Sequence, residues 1–213
     1  MTNLTNVASY RQVLADIKQR IRHAQTRAVM AVNAELIRLY WEIGALIDAR
    51  QQQEGWGTGV IPTLARDLHN ELPEEKGFSE RNIKRMLAFY REYSYLEFVP
   101  QPVAQMATNR EVPQSVALFP AELLCALPWG HHAELMAKVK DLPTRRWYMQ
   151  AAIEHGWSRS ILLLQIESIA HERTGKAVSN FTQLLPSPES DLAQQTLKDP
   201  YLFDFLTLQV GFQ

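Results

Sequence analysis

The sequence predicts an all-α protein that combines a long N-terminal helix with two helix-turn-helix-like units and has little or no β structure. Strand-forming runs are scarce, whereas Leu, Ala, Gln, Glu and Arg recur in long stretches without Gly or Pro. Apolar residues recur from Tyr10 to Ile47 at steps of mostly three and four. Two short segments share the order glycine, aromatic residue, serine and helical run. At 213 residues, 46% of them hydrophobic, the chain can bury a sizeable core.

The first element is the apolar stripe from Tyr10 to Ile47, which predicts one long helix or two helices in series with a break near Thr26. A stripe of this length usually packs on a partner helix, within the chain or across a dimer, so we expect it to drive self-association into a homo-oligomer. The first part of this helix carries a cluster of five cations opposed only by Asp16: Arg11, Lys18, Arg20, Arg22 and Arg27. They either extend a DNA-binding surface or form the solvated surface of a helical bundle, which is the commoner case.

The first helix-turn-helix-like unit follows a glycine-rich turn at 55–59. An amphipathic helix is predicted from Ile61 to Leu72, a break begins at Pro73, and a second helix is predicted from Glu80 to about Tyr95. The turn between them reads Gly77-Phe78-Ser79. It offers a residue that tolerates positive φ, an apolar plug for the corner and a helix cap. An ordinary helical hairpin uses the same chemistry and remains an alternative.

The second unit is separated from the first by a connector. Residues 99–120 contain four of the 11 prolines, which predicts little regular structure and a seam between a first part at 1–98 and a second at 121–178. In the second part, helices are predicted at about 130–139, 144–154 and 158–172, and Gly156-Trp157-Ser158 repeats the order of the first turn. Residues 179–213 contain further prolines and are predicted to be a linker.

The second helix of the first unit is the best candidate for a recognition helix. At 100° per residue its apolar side chains form one face, and Arg81, Lys84 and Arg85 lie on the opposite face. Cations near the start of a helix capped by Ser79 can reach phosphates or base edges in a major groove, and the first backbone amides add a phosphate contact. The alternative is a solvated charged face, the commoner fate of a short charge run.

The last helix of the second unit is apolar nearly all round, which predicts burial in the core or in an oligomer interface. DNA contact by this unit would depend on three cations: Arg145, Arg146 and Arg159. Their neighbours Trp147 and Tyr148 are interpreted as core anchors.

Signatures of catalysis are missing from the sequence. It contains no phosphate-binding loop, no dinucleotide-binding glycine pattern and no nucleophile elbow. His131 and His132 are adjacent and would point about 100° apart on a helix, a poor arrangement for one metal ion. Cys125 lies among apolar residues, which indicates a buried, inert thiol. We therefore predict no catalytic residue, no metal site, no cofactor and no small-molecule substrate in this chain.

Composition also bears on the compartment and on the partner. The N-terminus lacks the basic and apolar regions of a signal peptide, and no apolar run approaches the roughly 20 residues that cross a bilayer. We therefore expect a cytoplasmic protein without membrane contact. The net charge of −1 gives no overall indication of nucleic acid binding, so any DNA contact must come from the local distribution of charge.

Several segments resemble the N-terminal domain of the YhcG family of bacterial proteins, which look like PDDEXK-type nucleases. The resemblance extends over about residues 10–205. The matching residues are Val32 to Gly44, Trp56-Gly57, Leu64 to Leu68, Gly77 to Ile83, Pro128 to His132, Tyr148 and Gly156 to Ser158. Residues Asp199 to Leu206 are similar to the family's junction into its nuclease domain.

This resemblance implies a non-catalytic DNA-binding and assembly module. In such proteins the metal-binding acids and the lysine of the nuclease follow the junction, and this sequence stops at Gln213. We therefore expect the catalytic domain, with its divalent metal, to be absent from this chain. The alternative is an oligomerisation and protein-docking domain with no direct DNA contact.

Overall fold

The computed structural model describes residues 3–57, 59–94 and 121–173, and in addition residues 192, 196, 199 and 201. Within these residues the chain forms helices and no strand, which confirms the all-α prediction. A short 3-10 turn at Lys76–Phe78 precedes the third helix. The helices are α1 (Asn3–Glu54), α2 (Val60–Glu71), α3 (Glu80–Tyr93), α4 (Ala121–Cys125), α5 (Trp129–Lys138), α6 (Leu142–Glu154), α7 (Arg159–Glu167) and α8 (Ala170–Arg173).

The N-terminal helix α1 is one unbroken helix of 52 residues, so the prediction of a single long helix is confirmed and a break near Thr26 is excluded. Its two halves differ in environment. Residues 9–25 are all exposed, whereas the C-terminal half packs on α3 and α4. The helices α1 and α3 approach so closely at Gly44 that a Cβ there would collide with the carbonyl oxygen of Met86. Only glycine permits this contact.

A single hydrophobic core is shared by the two parts of the chain that the sequence divides at the connector. Trp129 of α5 is completely buried, with its ring 4.8 Å from that of Tyr40 on α1 and 5.3 Å from that of Phe89 on α3. Its Nε1–H donates a hydrogen bond of 2.7 Å to Asn82. The helices before and after the connector therefore pack as one unit, and the connector at 99–120 lies outside the described residues.

The two similar turns use their glycines for different reasons. Gly156 has a φ of +60°, as predicted, and permits the tight turn between α6 and α7. The prediction of positive φ is wrong for Gly77, which belongs to the 3-10 turn before α3. Gly77 is favoured instead because a Cβ there would lie 2.8 Å from the hydroxyl oxygen of the buried Tyr40, whose ring would have to shift.

The helix α7 departs from the prediction in both length and burial. It ends at Glu167 because Ile169 adopts a φ of +55°, which no helix can continue, and the short helix α8 follows. Only Leu162 of α7 is buried, whereas Ile161 is 44% and Leu164 is 62% exposed. The prediction that α7 is buried in the core is therefore wrong, and its alternative, burial in an oligomer interface, stays a prediction.

The described residues of the predicted linker at 179–213 pack on the helical body. Leu192 and Thr196 are buried, and Asp199 accepts a hydrogen bond of 2.7 Å from the backbone N–H of Gly130. Gly130 lies in the first turn of α5, where Pro128 has no side-chain acceptor to cap the helix. Asp199 therefore caps α5 from a distant part of the chain. The other residues of this segment lie outside the described part of the chain.

The adjacent histidines of α5 are buried structural residues. The Nε2 atoms of His131 and His132 lie 2.8 and 2.9 Å from the carbonyl oxygens of Trp157 and Leu124. Because a carbonyl oxygen only accepts, each Nε2 carries the proton. Burial lowers the pKa of both imidazoles, and that of His132 to about 4. Both rings are therefore neutral at pH 7, and they connect α5 to α4 and to the turn before α7.

This burial predicts a loss of stability in mild acid. Between the ordinary histidine pKa of about 6.5 and the pKa of about 4 for His132, the unfolded chain binds a proton that the folded chain does not. The contribution of His132 is complete above that window and is lost as the pH falls through it. We expect His132 to account for a decrease of about 2 kcal/mol in the unfolding free energy between about pH 7 and about pH 5.

Urea titrations at the two pH values measure this decrease. The variant His132→Gln should retain only a smaller decrease, whereas the control variant His23→Gln, at an exposed position on α1, should behave as the unmodified chain does. An unfolding free energy that does not change between the two pH values would contradict the buried, neutral state of His132.

Candidate nucleic-acid interface

The local sequence explains how α3 is oriented on the body. Ser79 caps the helix, because its hydroxyl accepts a hydrogen bond of 3.4 Å from the backbone N–H of Asn82. The side chain of Asn82 is buried and donates to the carbonyl oxygen of Gly77 at 2.6 Å, which fixes the turn before the helix. The inner face of α3 is buried against α1, α2 and α5: Ile83, Met86, Leu87, Phe89 and Tyr93. The opposite face of α3 therefore points away from the core.

The three cations predicted for this outer face are found on it. Arg81 is exposed and has no hydrogen-bond or ion-pair partner among the described residues. Lys84 is 56% exposed and forms an ion pair of 2.5 Å with Glu80, one helical turn earlier. Arg85 is half-buried and donates a hydrogen bond of 3.1 Å to the hydroxyl of Tyr201. The helix therefore brings the three cations onto one surface, which we call the α3 cationic face: Arg81, Lys84 and Arg85.

The α3 cationic face keeps most of its charge. Tyr201 is a neutral partner, so its hydroxyl orients the guanidinium of Arg85 without cancelling the charge. Glu80 is the only carboxylate paired with these cations among the described residues, which leaves an excess of two positive charges. The pair between Glu80 and Lys84 lies at the surface, where such pairs contribute only about 0.5 kcal/mol and exchange readily for other partners.

The contact with Tyr201 could not be found from the sequence pattern of α3. Tyr201 lies 116 residues away from Arg85 along the chain. Tyr201 follows Asp199, whose carboxylate accepts from the backbone N–H of Tyr201 at 3.0 Å and from Gly130. The only signal for this segment was its resemblance to the junction that precedes the nuclease domain in the YhcG family.

Arg145 is a correction to the sequence-based set of DNA contacts. Its side chain is 1% exposed and is enclosed by α3, α5 and α6. The guanidinium pairs with Glu92, donates to the hydroxyl of Tyr93 at 3.0 Å and donates to the carbonyl oxygen of Val139 at 2.7 and 2.9 Å. Burial disfavours the charged form, but Tyr93 and Glu92 outweigh it and raise the pKa of Arg145. This arginine stabilises the core and is not available to a phosphate.

The other two cations of the second unit are also occupied. Arg146 is half-buried and interacts with other groups of the chain. Arg159 is exposed, but its Nε and Nη2 atoms lie 3.0 and 2.7 Å from one carboxylate oxygen of Glu134. Because Arg145 is interior, the three residues do not form one continuous cationic face, and DNA contact by Arg146 and Arg159 stays a prediction. Trp147 packs against the core and Tyr148 is buried, in agreement with their interpretation as core anchors.

The groups that could have carried chemistry have structural roles. Burial raises the pKa of the Cys125 thiol to about 11, so that it is not a thiolate at neutral pH. In the part of the chain that the structure describes, no three His, Cys, Asp or Glu side chains are grouped so that they could hold a metal ion. No helix among those residues is both long enough and apolar enough to span a membrane.

Comparison with known proteins gives the family of the chain. The family profile described as the DUF1016 N-terminal domain matches residues 16–173. The Escherichia coli (strain K12) protein named "Putative nuclease YhcG" is 30% identical over 218 residues, which cover 95% of this chain and 57% of that protein. No solved structure matches the chain. The resemblance to the N-terminal domain of the YhcG family is thus confirmed, and the chain belongs to the DUF1016 N-terminal domain family.

Proposed function

We propose that this chain is the DNA-binding and assembly module of a nuclease-like protein and that it is not catalytic itself. The observation that carries the proposal is the α3 cationic face, where Arg81, Lys84 and Arg85 lie on one side of a capped helix. Glu80 is their one carboxylate partner in the part of the chain that the structure describes. A nuclease-like protein must hold a nucleic acid, which is a polyanion. The relationship to a protein named as a nuclease supports the choice of DNA.

The geometry of α3 suits a groove of duplex DNA. The helix has 14 residues and is therefore about 21 Å long, and a major groove about 12 Å wide admits a helix of this kind. Arg81 lies within the first turn, next to backbone amides that have no intrahelical acceptor. The positive end of the helix dipole lies at this N-terminus. A phosphate near Arg81 would therefore meet side-chain and backbone donors together.

Cutting and DNA holding would belong to different parts of the full protein. Cutting would belong to a following nuclease domain that uses a divalent metal, as the resemblance to PDDEXK-type nucleases implies. The buried histidines and the protonated Cys125 support a non-catalytic role for the part described here. Assembly would use the exposed half of α1, that is, residues 9–25. Homo-oligomerisation and a cytoplasmic location are parts of the same proposal.

A second candidate function is favoured by that exposed half of α1. Five large apolar side chains in this half are between 36% and 66% exposed: Tyr10, Val13, Leu14, Ile17 and Ile21. A contiguous exposed apolar patch of this kind is typical of a protein–protein interaction site. A protein whose only task is oligomerisation or docking would show this surface and no salt-sensitive DNA binding. The same binding experiment therefore separates the two functions.

We expect the triple variant Arg81→Ala, Lys84→Ala, Arg85→Ala to bind duplex DNA more weakly and with less dependence on salt. Each lost phosphate contact lowers the magnitude of the log–log salt slope by about 0.9, so three lower it by up to about 2.7. Fluorescence anisotropy of a labelled duplex, titrated at several salt concentrations, measures both quantities. Light scattering on the same samples reports the oligomeric state.

The matched control removes the same charge elsewhere, with the triple variant Arg50→Ala, Arg66→Ala, Lys138→Ala at exposed positions on three other helices. Its salt slope should equal that of the unmodified chain. If both triple variants lower the slope equally, binding follows overall charge and not the α3 cationic face. If the unmodified chain binds no duplex, the docking function is the correct one.

A further inference from the structure

The exposed half of α1 carries a regular apolar seam. Starting at Tyr10, the seam residues recur at alternating steps of four and three, the spacing of a two-helix coiled coil. The seam consists of Tyr10, Leu14, Ile17, Ile21, Ala24 and Ala28. It covers about 27 Å of helix at 1.5 Å per residue. In heptad terms Leu14, Ile21 and Ala28 are a positions, and the other three are d positions.

An isolated helical extension of this kind needs a partner. Residues 9–25 are all exposed, and a lone helix of about this length is only marginally stable in water. In a monomer, the five large apolar side chains on one face of this segment would form an exposed apolar patch, which is rare in monomeric proteins. The charges beside the seam indicate which partner fits.

The residues that flank a seam face each other across a coiled coil. In a parallel pair in register, each g position lies next to the partner's e position five residues further along. For this helix those contacts place Val13 beside Lys18 and Arg20 beside Gln25. Each cation therefore meets a neutral side chain. The aliphatic part of Lys18 can cover Val13, an apolar residue at an edge position where most coiled coils have a charge.

An antiparallel pair would bring like charges together. With the seams fully overlapped, Lys18 would face Lys18 of the other copy, and Arg20 would face its own equivalent. A shift by one heptad in either direction opposes Arg11 to Lys18 or Arg20 to Arg27. Like charges in direct opposition are destabilising, so every antiparallel register that keeps the seam intact is disfavoured.

From this pattern we infer that the exposed half of α1 binds a second copy of this chain as a parallel, in-register, two-stranded coiled coil. The inference rests on the assembly part of the proposed function and specifies its partner, orientation and register. A parallel pair places both helical bodies at the same end of the coiled coil. Two α3 cationic faces then belong to one particle, which strengthens binding to a duplex that reaches both faces.

Disulfide trapping tests the orientation directly. In the full chain with Cys125→Ala, the variant Tyr10→Cys brings two identical cysteines together in the parallel pair, because Tyr10 faces its own equivalent. In the fully overlapped antiparallel pair those two positions are about 27 Å apart, and Tyr10 faces Ala28 instead. We expect oxidised glutathione to join Tyr10→Cys to itself in most molecules. An equal mixture of Tyr10→Cys and Ala28→Cys should give no mixed dimer above the level of the control variant Gln12→Cys.

Sedimentation equilibrium supplies the mass and a disrupting variant. The full chain should have the mass of two copies. The double variant Ile17→Glu, Ile21→Glu should have the mass of one copy and should retain the helical circular dichroism of the body, since both side chains are exposed. A mixed disulfide between positions 10 and 28 would overturn the parallel orientation. A dimer that persists in the double glutamate variant would overturn the assignment of the seam as the contact between the two copies. Neither result would contradict assembly itself. A monomeric full chain overturns the inference and the assembly part of the proposed function together.

Discussion

Replacing Trp129 with alanine should lower the free energy of unfolding by about 4 kcal/mol, the largest effect expected of any single change in this protein. Its indole is completely buried between Tyr40 and Phe89 and donates a hydrogen bond to Asn82. The substitution leaves a cavity where α1, α3 and α5 meet, and it leaves the buried amide oxygen of Asn82 without its partner. Because both parts of the chain depend on this contact, they should lose stability together.

Urea unfolding followed by circular dichroism measures this loss. A matched control is Leu164→Ala, which removes a large apolar side chain that is 62% exposed and should change the unfolding free energy by less than about 0.5 kcal/mol. A single cooperative transition is expected in both variants. Two separate transitions, with only one of them shifted by Trp129→Ala, would show that the parts before and after the connector fold independently.

Replacing Arg145 with alanine should cost about 3 kcal/mol of stability and leave the salt dependence of DNA binding unchanged. Removal of one member of a buried ion pair typically costs about 3–5 kcal/mol, and the lower end applies because Glu92 remains partly exposed to water. The hydroxyl of Tyr93 and the carbonyl oxygen of Val139 also lose their donor. Arg145 thus affects folding, whereas the α3 cationic face affects binding.

The control for Arg145 is Arg159→Ala, which also removes an arginine of the part after the connector. Arg159 is exposed and its pair with Glu134 lies near the surface, so its loss should cost no more than about 1 kcal/mol. Urea titrations measure the stability of both variants, and anisotropy at several salt concentrations measures their binding. A stable Arg145→Ala variant with a reduced salt slope would restore Arg145 to the DNA interface and contradict its interior position.

Local patterns predicted the parts of this structure that depend on neighbouring residues. The apolar spacing from Tyr10 to Ile47 predicted a long helix, since helical periodicity is a property of one segment. Ser79 predicted the start of α3, because a cap acts within one turn of its own helix. The same reasoning placed Arg81, Lys84 and Arg85 on one face, as the structure does.

The errors concern contacts between residues that are far apart in the chain. Arg145 and Arg146 were interpreted as a basic patch. Nothing nearby in the sequence indicates that the guanidinium of Arg145 pairs with Glu92, 53 residues earlier. Positive φ was predicted for Gly77, whereas the constraint is the hydroxyl of Tyr40 on another helix. Asp199 was placed in a linker although it caps α5. Each of these features follows from tertiary packing, which hydrophobic periodicity does not encode.

Crosslinking from the outer side of α3 shows whether this surface meets DNA, as proposed. Ala88 is exposed, one turn beyond Lys84 and Arg85 on the same face. A photoactivated crosslinker can be attached to Ala88→Cys in the Cys125→Ala background, with Ala137→Cys, exposed near the end of α5, as the matched control. Illumination with a labelled duplex at low salt should give a covalent protein–DNA product from Ala88→Cys and little from Ala137→Cys. Equal products from both positions, or a product from Ala137→Cys alone, would contradict the claim.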